Sequence, residues 1–421
     1  MIFHFGWPAA VTLVLIGARW AAQVWLQRAN QAHVRAHEGR IPEAFQGVVD
    51  ERTYGKSVAY TLAKGKLSLV EMTYDVLLLA AVLFSGVLPW GLSWFTAHWG
   101  ASAWAKGAFL FAVGLALSMA SLPLDWYAQF VVEQRFGFNT TTQKTWCLDR
   151  VKGLALGLVL GYPLVVLVLK LVGWTGSAWW LWAWGTLLGF QLLLLVLAPV
   201  LILPIFNKFT PLPEGSLRER LLKLAARTEF RARNIQVMDG SKRSRHSNAF
   251  FTGFGGFRKI VLFDTLIEQL SEPELEAVLA HEIGHFKKKH ITKMVGLSAV
   301  GSLLGFYVLA ALAKTNWFYE GFGFQSGDLA AALLLFGLLS GLITFWFSPV
   351  AHWWSRRYEY QADAFAGLVM KETGSLIGAL RKLNEKNLSN LTPHPVYSAF
   401  YYSHPTLVER ESALIQSCSR E

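Results

Sequence analysis

The chain has 421 residues, of which 53% are hydrophobic and only 16% are charged, and it contains 18 Trp and 29 Phe. Ordinary soluble domains carry about 25% charged residues, so this composition argues against a soluble globular protein and indicates a protein with several membrane spans. The net charge of +11 fits contact with anionic lipid headgroups. We expect no nucleic-acid partner, because no basic face is combined with a recognisable nucleic-acid-binding motif.

Seven apolar stretches are long enough to cross a bilayer, which requires about 20 residues in an α-helix. The first contains Arg19 and has no basic region before it, unlike a cleaved signal peptide, so we interpret it as a retained span. The seven stretches are approximately 8–26, 68–93, 103–123, 152–173, 178–206, 294–313 and 328–350.

Lys and Arg are distributed unevenly among the segments that connect these spans. The segments after spans one, three, five and seven hold 7, 4, 16 and 8 of them, whereas the other three loops hold one each. Because short cytoplasmic loops are enriched in Lys and Arg, we predict that the N-terminus lies outside and the C-terminus in the cytosol. The predicted domains are spans one to five with their loops, a polar cytosolic segment, spans six and seven, and C-terminal cytosolic helices, at 1–206, 207–293, 294–350 and 351–421.

The polar segment 207–293 is predicted to be α+β. "LRERLLKLAARTEF" has helical periodicity, and it is followed by the β-prone runs "NIQVMDG", "HSNAFFTGF" and "RKIVLFD". In "SEPELEAVLAHEIGHFKKKH", Ser271 and Glu274 have the spacing of a capping box, which predicts a helix that runs to about His290. A second helix is expected at about 355–383, directly after span seven.

The sequence "HEIGH" within the first of these helices carries two histidines four residues apart. His281 and His285 then lie on one helix face and can bind one metal ion, while Glu282 can reach a metal-bound water. In such sites zinc activates the water, a carboxylate accepts its proton, and the hydroxide attacks a polarised carbonyl. The alternative interpretation is a surface helix end with two solvated histidines.

A catalytic zinc site needs a third protein ligand. Glu359 and Asp363 lie one turn apart on the helix predicted after span seven, so one carboxylate could bind the metal and the other could accept a hydrogen bond from a ligand histidine. Judged by the residues alone, a solvated helix face is an equal alternative. Four other histidines would compete for the metal: His290, His352, His394 and His404.

The combination of seven spans, "HEIGH" and "SRRYEYQADAFA" resembles the type I CAAX prenyl proteases, which are integral-membrane zinc metalloproteases. The segments "VVEQRFGFNTTTQKTWCLDRVKG", "HSNAFFTGFGGFRKIVLFDTLI" and "SHPTLVER" resemble further parts of that family, so the similarity extends along nearly the whole chain. It implies a polytopic α-helical membrane protein with a cytosolic α+β, zincin-like catalytic domain. The family encloses a water-filled chamber, and Glu71 and Asp75 are candidates to line it, although helix packing is an equal alternative.

The resemblance also implies the composition of the metal site. One Zn²⁺ per chain would be bound by His281, His285 and Glu359. Glu282 would be the general base, and Asp363 would orient a ligand histidine.

Three further positions take their roles from the same resemblance. His404 and Arg410 would flank the zinc and stabilise the developing oxyanion or hold the carboxylates in place. Asn248, followed by Ala249 and Phe250, would form the strand edge that pairs with an extended peptide substrate.

The function expected from this combination is that of a zinc metalloendopeptidase. Its substrate would be either a prenylated CAAX-type peptide or a membrane polypeptide cut for quality control. The tail shows no retrieval signal before Glu421, which is consistent with a bacterial inner-membrane protein and would favour the second substrate. The alternative function is a catalytically inactive binding or transport protein. Glu282 argues against it, because such a protein has no need of the base.

Overall fold

The computed structural model describes residues 6–230, 232–252 and 258–418. Within them, six helical stretches are long and apolar enough to cross a membrane, which confirms the predicted polytopic helical architecture. The stretches are Trp7–Ala36, Glu51–Phe84, Ala103–Phe136, Gln143–Phe206, His290–Leu312 and Leu329–Met370.

The first four stretches are built from eight α-helices and three short π-helical segments, and a ninth α-helix, Val87–Trp99, lies between the second and third stretches. The π-helical segments are Ala128–Glu133, Gly157–Gly161 and Ala198–Ile202. The α-helices are α1 (Trp7–Ala36), α2 (Glu51–Phe84), α3 (Val87–Trp99), α4 (Ala103–Tyr127), α5 (Gln134–Phe136), α6 (Gln143–Leu156), α7 (Tyr162–Thr175), α8 (Trp179–Leu197) and α9 (Leu203–Phe206).

The 64-residue stretch Gln143–Phe206 contains both the fourth and the fifth predicted spans. It breaks at Gly176, whose φ of 57° lies in the left-handed region that favours glycine. Helices α7 and α8 on either side of this break pack against each other. Six helical stretches therefore correspond to the seven predicted spans, because the stretch Gln143–Phe206 holds two spans that are separated at Gly176.

The second span ends earlier than predicted. Helix α2 stops at Phe84, and Gly86 with a φ of 78° begins the separate helix α3. Leu88 and Leu92 of α3 are buried in the apolar core of the membrane part. The prediction of one span over 68–93 was wrong because a continuous apolar run does not reveal a turn at one glycine.

The catalytic part contains a four-stranded sheet with the strand order β1-β2-β4-β3. Strands β2 and β4 are parallel, whereas β1 pairs with β2 and β3 pairs with β4 in antiparallel orientation. β1 was not predicted, because three residues are too few to show an alternating pattern. The strands are β1 (Phe209–Pro211), β2 (Ala232–Met238), β3 (Ala249–Thr252) and β4 (Arg258–Phe263).

The remaining helices pack on this sheet or return to the membrane part. The sheet and helices share one apolar core that includes Leu221, Ile260, Leu279 and Ile283. The helices are α10 (Ser216–Arg227), α11 (Asp264–Gln269), α12 (Glu272–Lys287), α13 (His290–Leu312), α14 (Asn316–Glu320), α15 (Leu329–Thr344), α16 (Ser348–Met370), α17 (Gly374–Lys386), α18 (Pro395–Tyr401) and α19 (Leu407–Cys418).

Helix α12 starts as predicted, since the backbone N–H of Ser271 donates to the Glu274 carboxylate at 2.7 Å. It ends at Lys287, short of His290, because Lys289 adopts a φ of 56° and starts α13 in a new direction. The predicted single helix over 355–383 was also wrong. The region forms two helices, α16 and α17, which are separated at Lys371 with a φ of 58°.

Candidate metal centre

Helices α12 and α16 approach each other closely at Gly284. A Cβ atom on Gly284 would lie 3.0 Å from Cα and 3.1 Å from the carbonyl oxygen of Ala362, so glycine permits a backbone approach that a side chain would hinder. The two histidines of α12 flank this contact in sequence. The packing brings Glu359 of α16, 74 residues further along the chain than His285, to the same point.

Three side chains converge there with the spacing expected of a metal site. Nε2 of His285 lies 3.1 Å from Nε2 of His281, and the Glu359 carboxylate oxygens lie 3.4 Å and 3.3 Å from these two nitrogens. Tetrahedral zinc with bonds of about 2.0–2.1 Å separates its ligand atoms by about 3.3–3.4 Å. The donor set and its spacing therefore fit zinc.

The Glu359 carboxylate supplies a second test of this fit. Its Oε2 atom is buried and has no hydrogen-bond partner within the described residues, and Nη1 of Arg410 lies 3.8 Å away from it. A buried carboxylate oxygen without a partner is costly, and a bound cation would satisfy it. The three residues therefore fit a metal ion in their chemistry as well as in their geometry.

Asp363 and Arg410 form the buried support of His281. Oδ1 of Asp363 lies 2.7 Å from Nδ1 of His281, and Arg410 donates to both Asp363 oxygens. Burial lowers the pKa of His281, but the carboxylates of Asp363 and Glu359 outweigh it and raise the value to about 9. A metal ion at Nε2 would replace the proton that these carboxylates stabilise.

Glu282 directly follows His281 in α12, whereas His404 lies in the C-terminal segment, and both adjoin this cluster. Burial raises the pKa of Glu282, while His281 and His285 oppose that rise. Nε2 of His404 lies 3.4 Å from Oε1 of Glu359. The side chain of His404 is 64% exposed, and it lines a cavity of about 1040 Å³.

The same cavity extends toward the membrane helices. Arg410 and Glu71 both line it, so Glu71, one of the two candidates to line a chamber, faces this cavity. Asp75 is not among its lining residues. Arg19 lies over the ring of Phe345, 5.5 Å from the ring centre.

The other histidines that could have competed for the metal do not face it. Nδ1 of His352 contacts the carbonyl oxygen of Phe400, and the His394 ring packs edge-on against His33. His290 contacts His285, but through Nδ1 of each ring. Gln361, which binds His290, was not singled out from the sequence, since its spacing carries no signal for this contact.

Asn248 precedes the edge strand β3 and is exposed. Its carbonyl accepts from the Phe263 N–H at 3.1 Å. The backbone N–H and C=O groups alternate in direction along an antiparallel strand. Those of Asn248 and Phe250 therefore point toward β4, whereas those of Ala249 point toward the free edge. The Asn248 side chain covers this edge by accepting from the Ala249 N–H at 2.8 Å.

Comparison with known proteins identifies the family of this chain. Residues 30–208 match the family model "CAAX prenyl protease N-terminal, five membrane helices", and residues 211–417 match peptidase family M48. The CAAX prenyl protease 1 homolog of Arabidopsis thaliana is 37% identical over 89% of this chain and 90% of its own. CAAX prenyl protease 1 of Saccharomyces cerevisiae is 37% identical over 90% and 89%.

A solved structure is also similar. The crystal structure of S. mikatae Ste24p has a TM-score of 0.90 and 33% sequence identity, and the match covers 96% of this chain and 98% of that one. With both family models and relatives that match over almost their whole length, the chain belongs to the CAAX prenyl protease family of M48 peptidases and is an integral, multi-pass membrane zinc metalloprotease that acts on peptide or protein substrates.

Proposed function

We propose that the chain binds one Zn²⁺ through His281, His285 and Glu359 and cleaves prenylated CAAX-type peptides near their C-terminus. The observation that carries the site is the mutual separation of 3.1–3.4 Å among the three ligand side chains. The substrate class is supported by the relatives, which are named CAAX prenyl proteases. The Lys and Arg distribution supports a cytosolic catalytic part and C-terminus and an N-terminus outside.

Zinc held by His281, His285 and Glu359 would supply a Lewis acid able to polarise the scissile carbonyl and to make water nucleophilic at neutral pH. The Glu282 carboxylate would take a proton from the attacking water and give it to the leaving amine. Its raised pKa suits a group that must both take and give a proton. His404 can donate to the carbonyl oxygen as negative charge develops there.

The remaining side chains hold substrate and ligands in position. Asn248, Ala249 and Phe250 present the edge of β3 to an extended peptide, which pairs with its free backbone groups and is thereby placed in a fixed register. Asp363 accepts from Nδ1 of His281 and so directs Nε2 toward the metal. Arg410 fixes the Asp363 carboxylate.

The first experiment is cleavage of a farnesylated CAAX peptide by the purified protein in detergent, with zinc measured on the same samples. The wild type should contain about one zinc per chain and cut the peptide. Glu282→Gln should retain zinc and not cut, because it keeps the ligands and removes the base. Glu359→Gln should lose most of the zinc.

The same peptide without its farnesyl group is the control for substrate class. Equal cleavage of both peptides would overturn the prenyl preference and leave the metalloprotease intact. Cleavage by Glu282→Gln at the wild-type rate would overturn the assignment of the base. A wild type that binds no zinc would overturn the metal site itself.

A further inference from the structure

His290 is the first residue of α13 and is only 1% exposed. Its ring stacks on Tyr358 of α16, with ring centres 4.1 Å apart and planes within 12°. Nδ1 of His290 lies 3.0 Å from Nδ1 of His285, and Nε2 lies 2.9 Å from Oε1 of Gln361. Both nitrogens of this buried ring therefore have a defined partner.

The proton positions follow from these partners. If Nε2 of His285 binds the metal, the Nδ1 atom of the same neutral ring must carry the hydrogen. Nδ1 of His290 must then be the acceptor, so that its own hydrogen is on Nε2. That hydrogen points at Oε1 of Gln361, which can only accept.

We propose that His290, fixed by Gln361, is a positioning residue that holds His285 with Nε2 toward the metal. The inference rests on the proposed zinc site. It gives the second histidine ligand a support that matches the role of Asp363 toward His281. The supports differ in charge, since His281 has a carboxylate partner and His285 has a neutral ring and an amide.

A direct metal-binding role for His290 does not fit these contacts. Both of its nitrogens face protein atoms, and the ring reaches the cluster only through the Nδ1 side of His285. The aromatic stack with Tyr358 holds the ring plane in this orientation. The acceptor nitrogen and the stacked ring can be separated by mutation, which makes the inference testable.

The test is the zinc dissociation constant, measured by chelator competition on the full-length protein in detergent. His290→Phe keeps a ring against Tyr358 and removes the acceptor, so zinc binding should weaken about 10–100-fold. His290→Asn loses the stack but keeps an acceptor near the place of Nδ1, so its affinity should stay within about threefold of the wild type. The visible spectrum of the Co²⁺-loaded protein should change in His290→Phe and should match that of the wild type in His290→Asn.

Gln361 provides a second pair of variants. Gln361→Leu removes the acceptor for Nε2 of His290 and should weaken zinc binding, whereas Gln361→Glu keeps an acceptor and should not. The thermal midpoint of each metal-free variant checks the fold. The positioning role is supported if zinc affinity falls only in the variants that lack the acceptor while the thermal midpoints of all metal-free variants stay similar.

Three results would overturn the inference. Wild-type zinc affinity in His290→Phe would show that the acceptor is dispensable. Weak zinc binding by both His290→Phe and His290→Asn would mean that the asparagine acceptor cannot restore the site. Weak zinc binding by His290→Asn alone would show that the packing of the ring matters and the acceptor does not. A wild type that binds no zinc is a separate result, which overturns the proposed metal site first.

Discussion

Arg410 forms a bidentate ion pair with Asp363 beside the candidate zinc ligands. Nε of Arg410 lies 2.8 Å from Oδ2 of Asp363, and Nη2 lies 2.5 Å from Oδ1. The same Oδ1 atom contacts Nδ1 of His281, so one carboxylate joins α12, α16 and the C-terminal helix α19. The pair is buried, with side-chain exposures of 10% and 2%.

Replacement of Arg410 by Met should be strongly destabilising. It leaves Asp363 as a buried carboxylate next to Glu359, and the loss of one partner from a buried ion pair costs about 3–5 kcal/mol. The thermal midpoint of the metal-free protein should fall, and zinc affinity should fall with it. Combining Arg410→Met with Asp363→Asn should recover part of the stability, because no unpaired charge remains; additive losses in the double variant would contradict this coupling.

Substitution of Gly284 by Ala should separate the two metal-binding helices. The added Cβ would meet backbone atoms of Ala362 at 3.0–3.1 Å and Cβ of Phe365 at 3.2 Å, where overpacking costs about 1–3 kcal/mol. Because Glu359 lies on the displaced helix, chelator competition should show weaker zinc binding. Gly296→Ala is the matched control, since nothing lies within 4 Å of its Cβ position. Equal zinc affinity in the two variants would contradict the prediction.

The sequence predicted the metal-site helix well because the determining signals are local. The capping contact of Ser271 with Glu274 and the four-residue spacing of His281 and His285 are properties of one helix, and α12 has both. The apolar lengths of the spans are local in the same way. From the residues alone, Glu359 could equally be a third ligand or part of a solvated helix face. Only the family resemblance favoured the ligand, because the proximity of Glu359 to His281 depends on how α12 and α16 pack.

The two wrong helix ends in the part after residue 207 have a common physical origin. Lys289 and Lys371 end their helices with positive φ angles, and lysine carries no local signal for that conformation, in contrast to glycine. Tertiary contacts impose these turns. The turn at Lys289 starts α13 and places His290 against His285, so a helix predicted to continue to His290 could not reveal that contact.

The free edge of β3 can be tested with a pair of proline substitutions. Ala249→Pro removes an N–H that points away from β4 and should preserve the sheet, as proline is tolerated on the open side of an edge strand. Peptide cleavage should show a higher KM, because an extended substrate that displaces the Asn248 side chain from the Ala249 N–H would lose that hydrogen bond. Phe250→Pro removes an N–H directed at β4 and should lower the thermal midpoint instead. An unchanged KM in Ala249→Pro would exclude this edge as the peptide-binding strand.

Arg243 connects the segment before β3 to the membrane part. Its guanidinium donates to both oxygens of Asp149 on α6, at 2.8 Å and 3.1 Å, and to the side-chain oxygen of Asn207 at 3.1 Å. The loop between spans three and four adds a backbone bond from Thr140 N–H to the Arg243 carbonyl. These contacts anchor the chain five residues before Asn248.

Arg243→Gln should therefore loosen the start of the substrate-binding strand. Hydrogen bonds to charged groups contribute about 1.5–3 kcal/mol, and we expect a loss of about 1.5 kcal/mol because both partners are 22–23% exposed. Limited proteolysis should cut faster near residues 240–245, and Asp149→Asn should show the same effect. Arg245→Gln, at an exposed position two residues away, should not. Equal proteolysis of the Arg243 and Arg245 variants would mean that the backbone contacts of the loop hold the strand without the guanidinium.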